Sequence, residues 1–354
     1  MANRGTSVTL RDVALAAGVS ITTVSRILNG RETGVPVREE TRARIHAAAN
    51  DLGYRPNLLA RGLRGSHSSL LGVIARDVSD PFYVQVLRGV NEVARARDYR
   101  IFLGHADYEP EAASTYGSMF ERSHADGIIV IGDIEGGEAS LDALARQHQS
   151  IVGVADRTDR RRIPGVYGDN VIATTLALDH LWALGHRHIT CVSDTQTHDG
   201  RRRAELYESY LNDRGAGSYA QVFMADSPGS PEPGFRVGQE IFADAGAKRP
   251  TAIWATSDTI AVGIMQAAFR AGIRIPQDLS IIGTDDIDMA AFTIPPLTTV
   301  SQHGEEMGSL AASLLFRMID DSSQAPDVAD IPVAPSLVVR ESTRTPTDAT
   351  DATA

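Results

Sequence analysis

Apolar positions in the first 55 residues recur at helical spacing in three short stretches. Leu10, Val13, Ala14 and Ala17 share one face of a first helix. Thr9 precedes it, with Asp12 three positions later, so the two halves of a capping box are present. Gly18 ends this helix, because glycine enters the left-handed region without steric cost. Ser20 caps a second helix that runs to about residue 29, with Val24, Ile27 and Leu28 facing inward. A loop containing Gly30, Gly34 and Pro36 leads to a third helix over about 39–52, closed by Gly53. Residues 57–69 read as a linker. From Leu70 the pattern changes to short apolar runs at 70–75, 100–104, 127–131, 151–155, 188–192, 221–224, 252–255 and 279–283. Amphipathic stretches fill the gaps, among them 82–97, 171–184, 201–211 and 259–271. Such alternation predicts parallel sheets with helices on both faces. About 270 residues is long for one such sheet, so two α/β lobes are expected behind an all-α head. The tail after Glu341 has no periodicity and predicts disorder over 343–354.

Composition narrows the function. The chain has 354 residues, 42% hydrophobic and 22% charged, an ordinary globular balance with room for two or three domains. A single cysteine, Cys191, excludes a disulfide within the chain. No apolar run approaches the roughly 18 residues of a membrane span. The polar stretch 1–10 lacks a signal-peptide core, so a cytoplasmic protein without membrane partners is expected. The net charge of -11 alone argues against nucleic acid, but it is unevenly spread: residues 1–66 carry +5 and the remainder -16. A basic head on an acidic body suits a polyanion reader docking by one end; a chance asymmetry is the alternative.

Two short helices joined at Ala17-Gly18-Val19 have the form of a helix-turn-helix, whose second helix enters the major groove. Ile21, Thr22, Ser25, Arg26 and Asn29 lie on its outer side or ends. Arg26 can address guanine O6 and N7 in a bidentate manner, and Thr22 can hydrogen-bond several bases. Thr9, Ser20, Thr23, Ser25 and Asn29 suit phosphate contacts, which position rather than specify. The plainer alternative is that Thr9 and Ser20 only cap helices and Arg26 is only a solvated charge. Enzyme chemistry has little support. No phosphate-cradling GxxxxGK[ST] is present, and His186 and His188, two positions apart, do not face together on a helix. Asp285-Asp286-Ile287-Asp288 is the one stretch that suggests a metal. No catalytic residue, metal or cofactor is therefore assigned.

The stretch VTLRDVALAAGVSITTVSRILNG at 8–30, continued by ETRARIHAAANDLGYRPN at 40–57, resembles the head of the lactose-repressor (LacI/GalR) family, and the resemblance extends to about residue 342. It implies a dimeric transcriptional regulator, more often a repressor. The head would span 1–56 and the hinge 57–69. A core over 70–342 resembles periplasmic binding proteins. Its first lobe would comprise about 70–166 and 296–325, and its second about 167–293 and 326–342. The segment 295–302 is expected to return the chain to the first lobe. Partners implied are a pseudo-palindromic DNA operator, a small-molecule effector of carbohydrate type, and a second copy of the chain. The dimer surface is expected along 82–97 and 111–123. A secreted sugar-binding protein would share the core but lack the DNA head.

The resemblance adds Tyr54 and Asn57 to the DNA-binding set. It implies a hinge helix from which Leu63 wedges into the central base step, with Ala60 packed beside it. The effector-clamping arginine falls at Arg203, with Arg201 and Arg202 solvated. Ser257 and Asp285 supply the polar cleft groups, Asp258 caps the following helix, and Asp286 is structural. Arg76, Phe82, Tyr83 and Gln302 line the same cleft; Asp156 falls near the fourth strand end. An arginine facing a carboxylate across the cleft suits a neutral polyol, an interlobe Arg203–Asp285 salt bridge being the alternative. Arg76 leaves a sugar phosphate open. The hinge is too short to hold helix alone, and Gly62 weakens it further, so it should fold only on DNA. Replacing Leu63 by Ser should weaken operator binding without unfolding the core, measured by gel shift; unchanged affinity would reject the wedge.

Overall fold

The computed structural model describes residues 8–28, 37–54, 67–133, 144–146, 150–155, 163–243, 249–321 and 330–346. The chain divides into two compact units, Met1–Ser68 and Ser69–Ala354.

In the first unit, α1 (Leu10–Ala17), α2 (Ile21–Leu28) and α3 (Glu39–Asp51) enclose a small core of Val13, Ala14, Ala17, Val24, Ile27, Ile45 and Ala49. The capping box forms as expected: the Asp12 amide donates to Thr9 Oγ1, and the Thr9 amide donates to Asp12 Oδ2 at 2.8 Å. Gly18 stands at φ 65°, turning the chain from α1 into α2. The Thr23 amide donates to Ser20 Oγ at 3.1 Å, so Ser20 caps α2.

The second unit contains two sheets. In chain order its elements are β1 (Leu70–Ala75), α4 (Pro81–Ala96), β2 (Arg100–His105), α5 (Pro110–Arg122), β3 (Gly127–Ile131), β4 (Ile151–Val154) and β5 (Gly165–Gly168). They are followed by α6 (Asn170–Ala183), β6 (Ile189–Asp194), α7 (His198–Asp213), β7 (Gln221–Ala225), α8 (Pro231–Ala243) and β8 (Ala252–Ala255). The chain ends with α9 (Asp258–Arg270), β9 (Ser280–Asp285), β10 (Thr298–Ser301), α10 (Gly304–Asp320), β11 (Ile331–Val333) and β12 (Ser336–Val338). The first sheet runs β11-β5-β4-β3-β1-β2 and the second β12-β10-β9-β8-β6-β7. Among the described residues every strand pairing is parallel except β10 with β12 at the edge of the second sheet. Central strands such as β3, β6 and β9 are buried along their length, which is why they read as continuous apolar runs rather than alternating ones.

Two expectations from the sequence need correction. The segment 298–301 does not belong to the first lobe: Thr298 to Ser301 pair with Ile282 to Asp285 of β9 in the second sheet. The return to the first lobe follows Gln302, through α10, and β11 beside β5 stays there before β12 crosses back. Neither β11 nor β12 exceeds three residues, too short for a readable period. The tail is also ordered further than its composition suggests. Arg344 donates its amide to Ser280 Oγ at 3.0 Å, and Thr343 Oγ1 lies 2.9 Å from His180 Nε2. Helix α8 starts Pro-Glu-Pro-Gly, and prolines in a first turn lose no helix hydrogen bond.

Helix pairs in both lobes approach closely over glycine. A Cβ at Gly308 of α10 would overlap the Val86 carbonyl of α4, and one at Gly89 would overlap the Glu305 carbonyl. Gly263 of α9 and Gly234 of α8 are related in the same way, through the Pro231 and Ile260 carbonyls. Gly308→Ala should therefore destabilise the core by about 1–3 kcal/mol, despite alanine's better helix propensity. Urea denaturation measures it; a stabilised variant would show that α4 and α10 can move apart freely.

Candidate functional site

In the head, α2 and its cap carry most of the described DNA-contact candidates. Ser20, Ile21 and Thr22 are exposed, Thr23, Ser25 and Arg26 half-buried, while Val24 and Ile27 fill the core. Thr9 and Ser20 both serve as caps, so any phosphate contact must be made alongside that task. Tyr54 packs against the head core. Asn29, Asn57, Ala60 and Leu63 lie outside the described residues.

The core places all seven cleft candidates, Arg76, Phe82, Tyr83, Arg203, Ser257, Asp285 and Gln302, around one cavity between the lobes. On the second-lobe side Arg203, in the second turn of α7, is buried. Its Nε donates to Asn170 Oδ1 at 2.8 Å, its Nη1 to the Thr256 carbonyl at 2.8 Å and its Nη2 to Gln302 Oε1 at 2.7 Å. Gln302 in turn donates Nε2 to Asp285 Oδ1 at 2.5 Å. One amide thus connects the guanidinium to the carboxylate, each end using the correct polarity. Arg203 and Asp285 both belong to the second lobe, so neither the facing arrangement nor an interlobe salt bridge describes them. Asp285 ends β9 at φ 117°, with Asp286 at φ 55°, a strained turn that aims the carboxylate at the cavity.

Ser257 keeps the cleft position expected of it and also takes the capping role expected of Asp258. Ser257 is the cap of α9, accepting from the Ile260 amide at 3.2 Å, while still lining the cavity. Asp258 is fully buried, accepting from Thr299 Oγ1 at 2.5 Å and the Ile287 amide at 3.0 Å. Burial pushes its carboxyl up to about 7. These bonds join α9, β10 and the turn after β9, and so hold Asp285 and Gln302 in register. Asp286 is structural, as expected, paired with Arg340 Nη2 at 2.6 Å.

On the first-lobe side, Arg76 follows β1 and is only 4% exposed. It is paired with Asp133 and flanked by the rings of Tyr83 and Tyr108, 5.0 and 5.3 Å from their centroids. Its positive charge is thus already answered within the protein. Phe82 and Tyr83 are core residues as much as cleft residues, buried under α4. Asp80 caps α4, accepting from the Phe82 amide at 2.9 Å. Polar contacts cross between the lobes among the described residues: the His198 amide, at the start of α7, donates to Asp133 Oδ2 at 2.8 Å, Gln85 Nε2 to the Asp286 carbonyl at 2.7 Å, and Arg88 pairs with Asp288 at 2.8 Å. The last two contacts place the Asp285–Asp288 stretch at the lobe junction. Among the described residues no group of His, Cys, Asp and Glu is arranged to hold a metal. Asp156 lies outside the described residues.

Sequence reasoning did not identify Asp80, Asp133, Asn170, Asp194 or Thr197 as site residues. Asp80 and Asp194 do stand at strand ends or helix starts, where open α/β sheets place ligands, so position was the available signal. Burial pushes the Asp80 carboxyl up to about 6. Because this folded value lies above the ordinary one near 3.8, stability should fall as pH rises through about 4–6 and stay low above it. Asp80→Asn, which can still cap α4, should remove up to about 3 kcal/mol of that pH dependence. Urea midpoints at both ends of the window would show it; equal slopes in both proteins would assign the pH dependence elsewhere.

Comparison with known proteins agrees with this architecture. Residues 9–57 match the bacterial regulatory proteins of the lacI family, and residues 178–343 the periplasmic binding protein-like domain. The HTH-type transcriptional regulator DegA of Bacillus subtilis (strain 168) is 32% identical over 338 residues, covering 95% of this chain and 98% of DegA. The structure of the lac repressor dimer bound to operator and the anti-inducer ONPF is 26% identical with a TM-score of 0.79, over 96% of this chain and 100% of that one. A LacI family transcriptional regulator from Enterococcus faecium with bound ribose is 25% identical with a TM-score of 0.70, over 78% of this chain and 100% of that one. With the helix-turn-helix head, two parallel-sheet lobes and this near full-length similarity in hand, the chain belongs to the LacI family of bacterial transcriptional regulators.

Proposed function

We propose that this protein is a sequence-specific DNA-binding repressor whose operator affinity is controlled by a sugar or sugar derivative bound between its lobes. The observation that carries the reading is the Arg203–Gln302–Asp285 chain of hydrogen bonds at the cavity wall, which offers donors and acceptors side by side to vicinal hydroxyls. Arg203 retains guanidinium hydrogens beyond its three bonds for such a ligand. The Enterococcus faecium relative holds ribose, which favours a carbohydrate here. The protein acts on DNA rather than as an enzyme, in the cytoplasm.

The working division is a head over 1–56, a hinge over 57–69 and a core from 70. Two copies read a pseudo-palindromic operator, each with α2 in the major groove: Arg26 and Thr22 at base edges, Thr9, Ser20, Thr23, Ser25, Asn29, Tyr54 and Asn57 along the backbone, and Ala60 and Leu63 in the minor groove. The dimer face along 82–97 and 111–123 continues onto the second lobe, where Met289, Phe292 and Ile294 are 56%, 78% and 96% exposed. Effector changes the balance between lobe arrangements, and these set whether paired hinges meet. The Gln85–Asp286 and Arg88–Asp288 contacts are the ones such a shift would break and remake. Coupling of this kind is typically about 1–3 kcal/mol, a graded response.

Selection of bound duplexes from a random pool, repeated with a panel of sugars, tests the reading. A two-fold symmetric consensus whose retention changes with one sugar is the expected result. Failure to prefer any duplex over bulk DNA, with every sugar, rejects it. Arg26→Ala should lower affinity for the selected site about tenfold or more while sparing non-specific binding, measured by fluorescence anisotropy.

A further inference from the structure

The charges around the cleft do not balance. Its wall carries two arginines against four aspartates: Asp80 from the first lobe, and Asp194, Asp199 and Asp285 from the second. The arginines offset them only in part: Arg76 lowers the Asp80 and Asp194 carboxyls and Arg203 lowers Asp285 and Asp194, yet burial outweighs both. Arg76 makes its ion pair with Asp133, which lies outside that wall, and Arg203 donates to three neutral oxygens. Asp80, Asp194 and Asp285 are each under a tenth exposed. Asp80 has one oxygen on the Phe82 amide and Asp285 one on Gln302, with no ion pair to either among the described residues.

From this we infer that the effector carries a protonated amine beside its hydroxyls, as an amino sugar or amino polyol does, and that the amine sits between Asp80 of the first lobe and Asp285 of the second. The inference rests on reading the cleft as the effector site. A second observation concerns a residue of the same wall. Arg76 Nε is buried and has no hydrogen-bond partner among the described residues, so a residue lining the cavity holds a donor without an acceptor. A hydroxyl next to an ammonium answers both demands. A phosphate answers only the second, and would meet the aspartates with like charge. Burial pushes Asp80 up to about 6 and raises Asp285 and Asp194 against the opposing charges of Arg76 and Arg203; Asp194 raises Asp80 further, and Asp80 raises Asp285. The carboxylates thus sense one another across the lobes, and a bound cation would relieve that repulsion while drawing both lobes onto itself.

Three matched three-carbon probes, small enough to enter whatever the natural ligand's shape, test this on the full-length protein. They are serinol with an amine at the central carbon, glycerol with a hydroxyl there, and glycerol 2-phosphate. Calorimetric titration should show serinol binding about tenfold tighter than glycerol, with glycerol 2-phosphate weakest, since a charge-assisted hydrogen bond exceeds a neutral one by about that factor. Asp80→Asn and Asp285→Asn should each narrow the serinol-to-glycerol ratio, a change that a purely structural role would not produce. Asp80→Asn keeps the cap on α4, so the test survives if Asp285→Asn fails to fold. Equal affinities, preference for the phosphate, an unchanged ratio in a folded variant, or no serinol binding each overturn the inference. Operator binding in parallel separates the two readings. A serinol preference with no response of operator affinity to any amino sugar would sink the regulatory reading alone; a neutral sugar that moves operator affinity without an amine preference would sink this one alone.

Discussion

Charge buried in the cleft is the constraint that organises the core. A guanidinium or carboxylate taken out of water must find hydrogen-bond partners or a counter-charge within the protein. Arg203 finds three acceptors, from α6, from the end of β8 and from the end of β10. Those three elements must therefore converge within a few ångströms of α7. Gln302 is the critical member, because it satisfies the arginine with its oxygen and Asp285 with its nitrogen. It stands where the chain leaves the second sheet for α10, so the same residue closes the cavity wall and begins the crossing between lobes.

The surrounding architecture supplies the rigidity that this arrangement needs. Glycines at the α4–α10 and α8–α9 contacts bring helix backbones close enough that side chains on either side interlock. The fully buried Asp258 holds α9, β10 and the turn after β9 together from behind the cavity. Gly283 faces it because a Cβ there would overlap the carboxylate. Contacts that cross between lobes are of a different kind: a helix amide on Asp133, a glutamine on a backbone carbonyl, and an exposed Arg88–Asp288 pair. Polar and partly hydrated contacts of this sort exchange at small cost, whereas packed helix faces do not. Each lobe is thus held by close packing and the junction between them by polar contacts.

Much of this was legible in the residues themselves. The head followed from local signals acting within a few positions: Thr9 with Asp12, Gly18, Ser20, and an apolar spacing that chose Val13, Val24 and Ile27 as core. The central strands followed from apolar runs, while it was the family resemblance that selected Arg203 over Arg201 and Arg202, and Arg203 is the buried arginine on the second-lobe cavity wall. Where the reading failed, the missing information was non-local. Short edge strands such as β11 and β12 carry no period, and they exist because a sheet edge was there to pair with. Ser257 and Asp258 sit next to each other, and sequence alone does not say which caps and which is buried.

What the sequence determined by itself was the order and type of its longer elements, the division between a basic helical head and an acidic α/β body, and which residues stand at strand ends, because propensity, capping and periodicity act locally along the chain. What only the tertiary structure decided was how those ends pair their charges. It joined Arg203 to Asp285 through Gln302 rather than directly, it turned Arg76 to Asp133, and it left Asp80 facing the second lobe's aspartates. Partner choice among buried charges depends on distances across three or four elements and on the solvent excluded when they meet, and no window of sequence contains either.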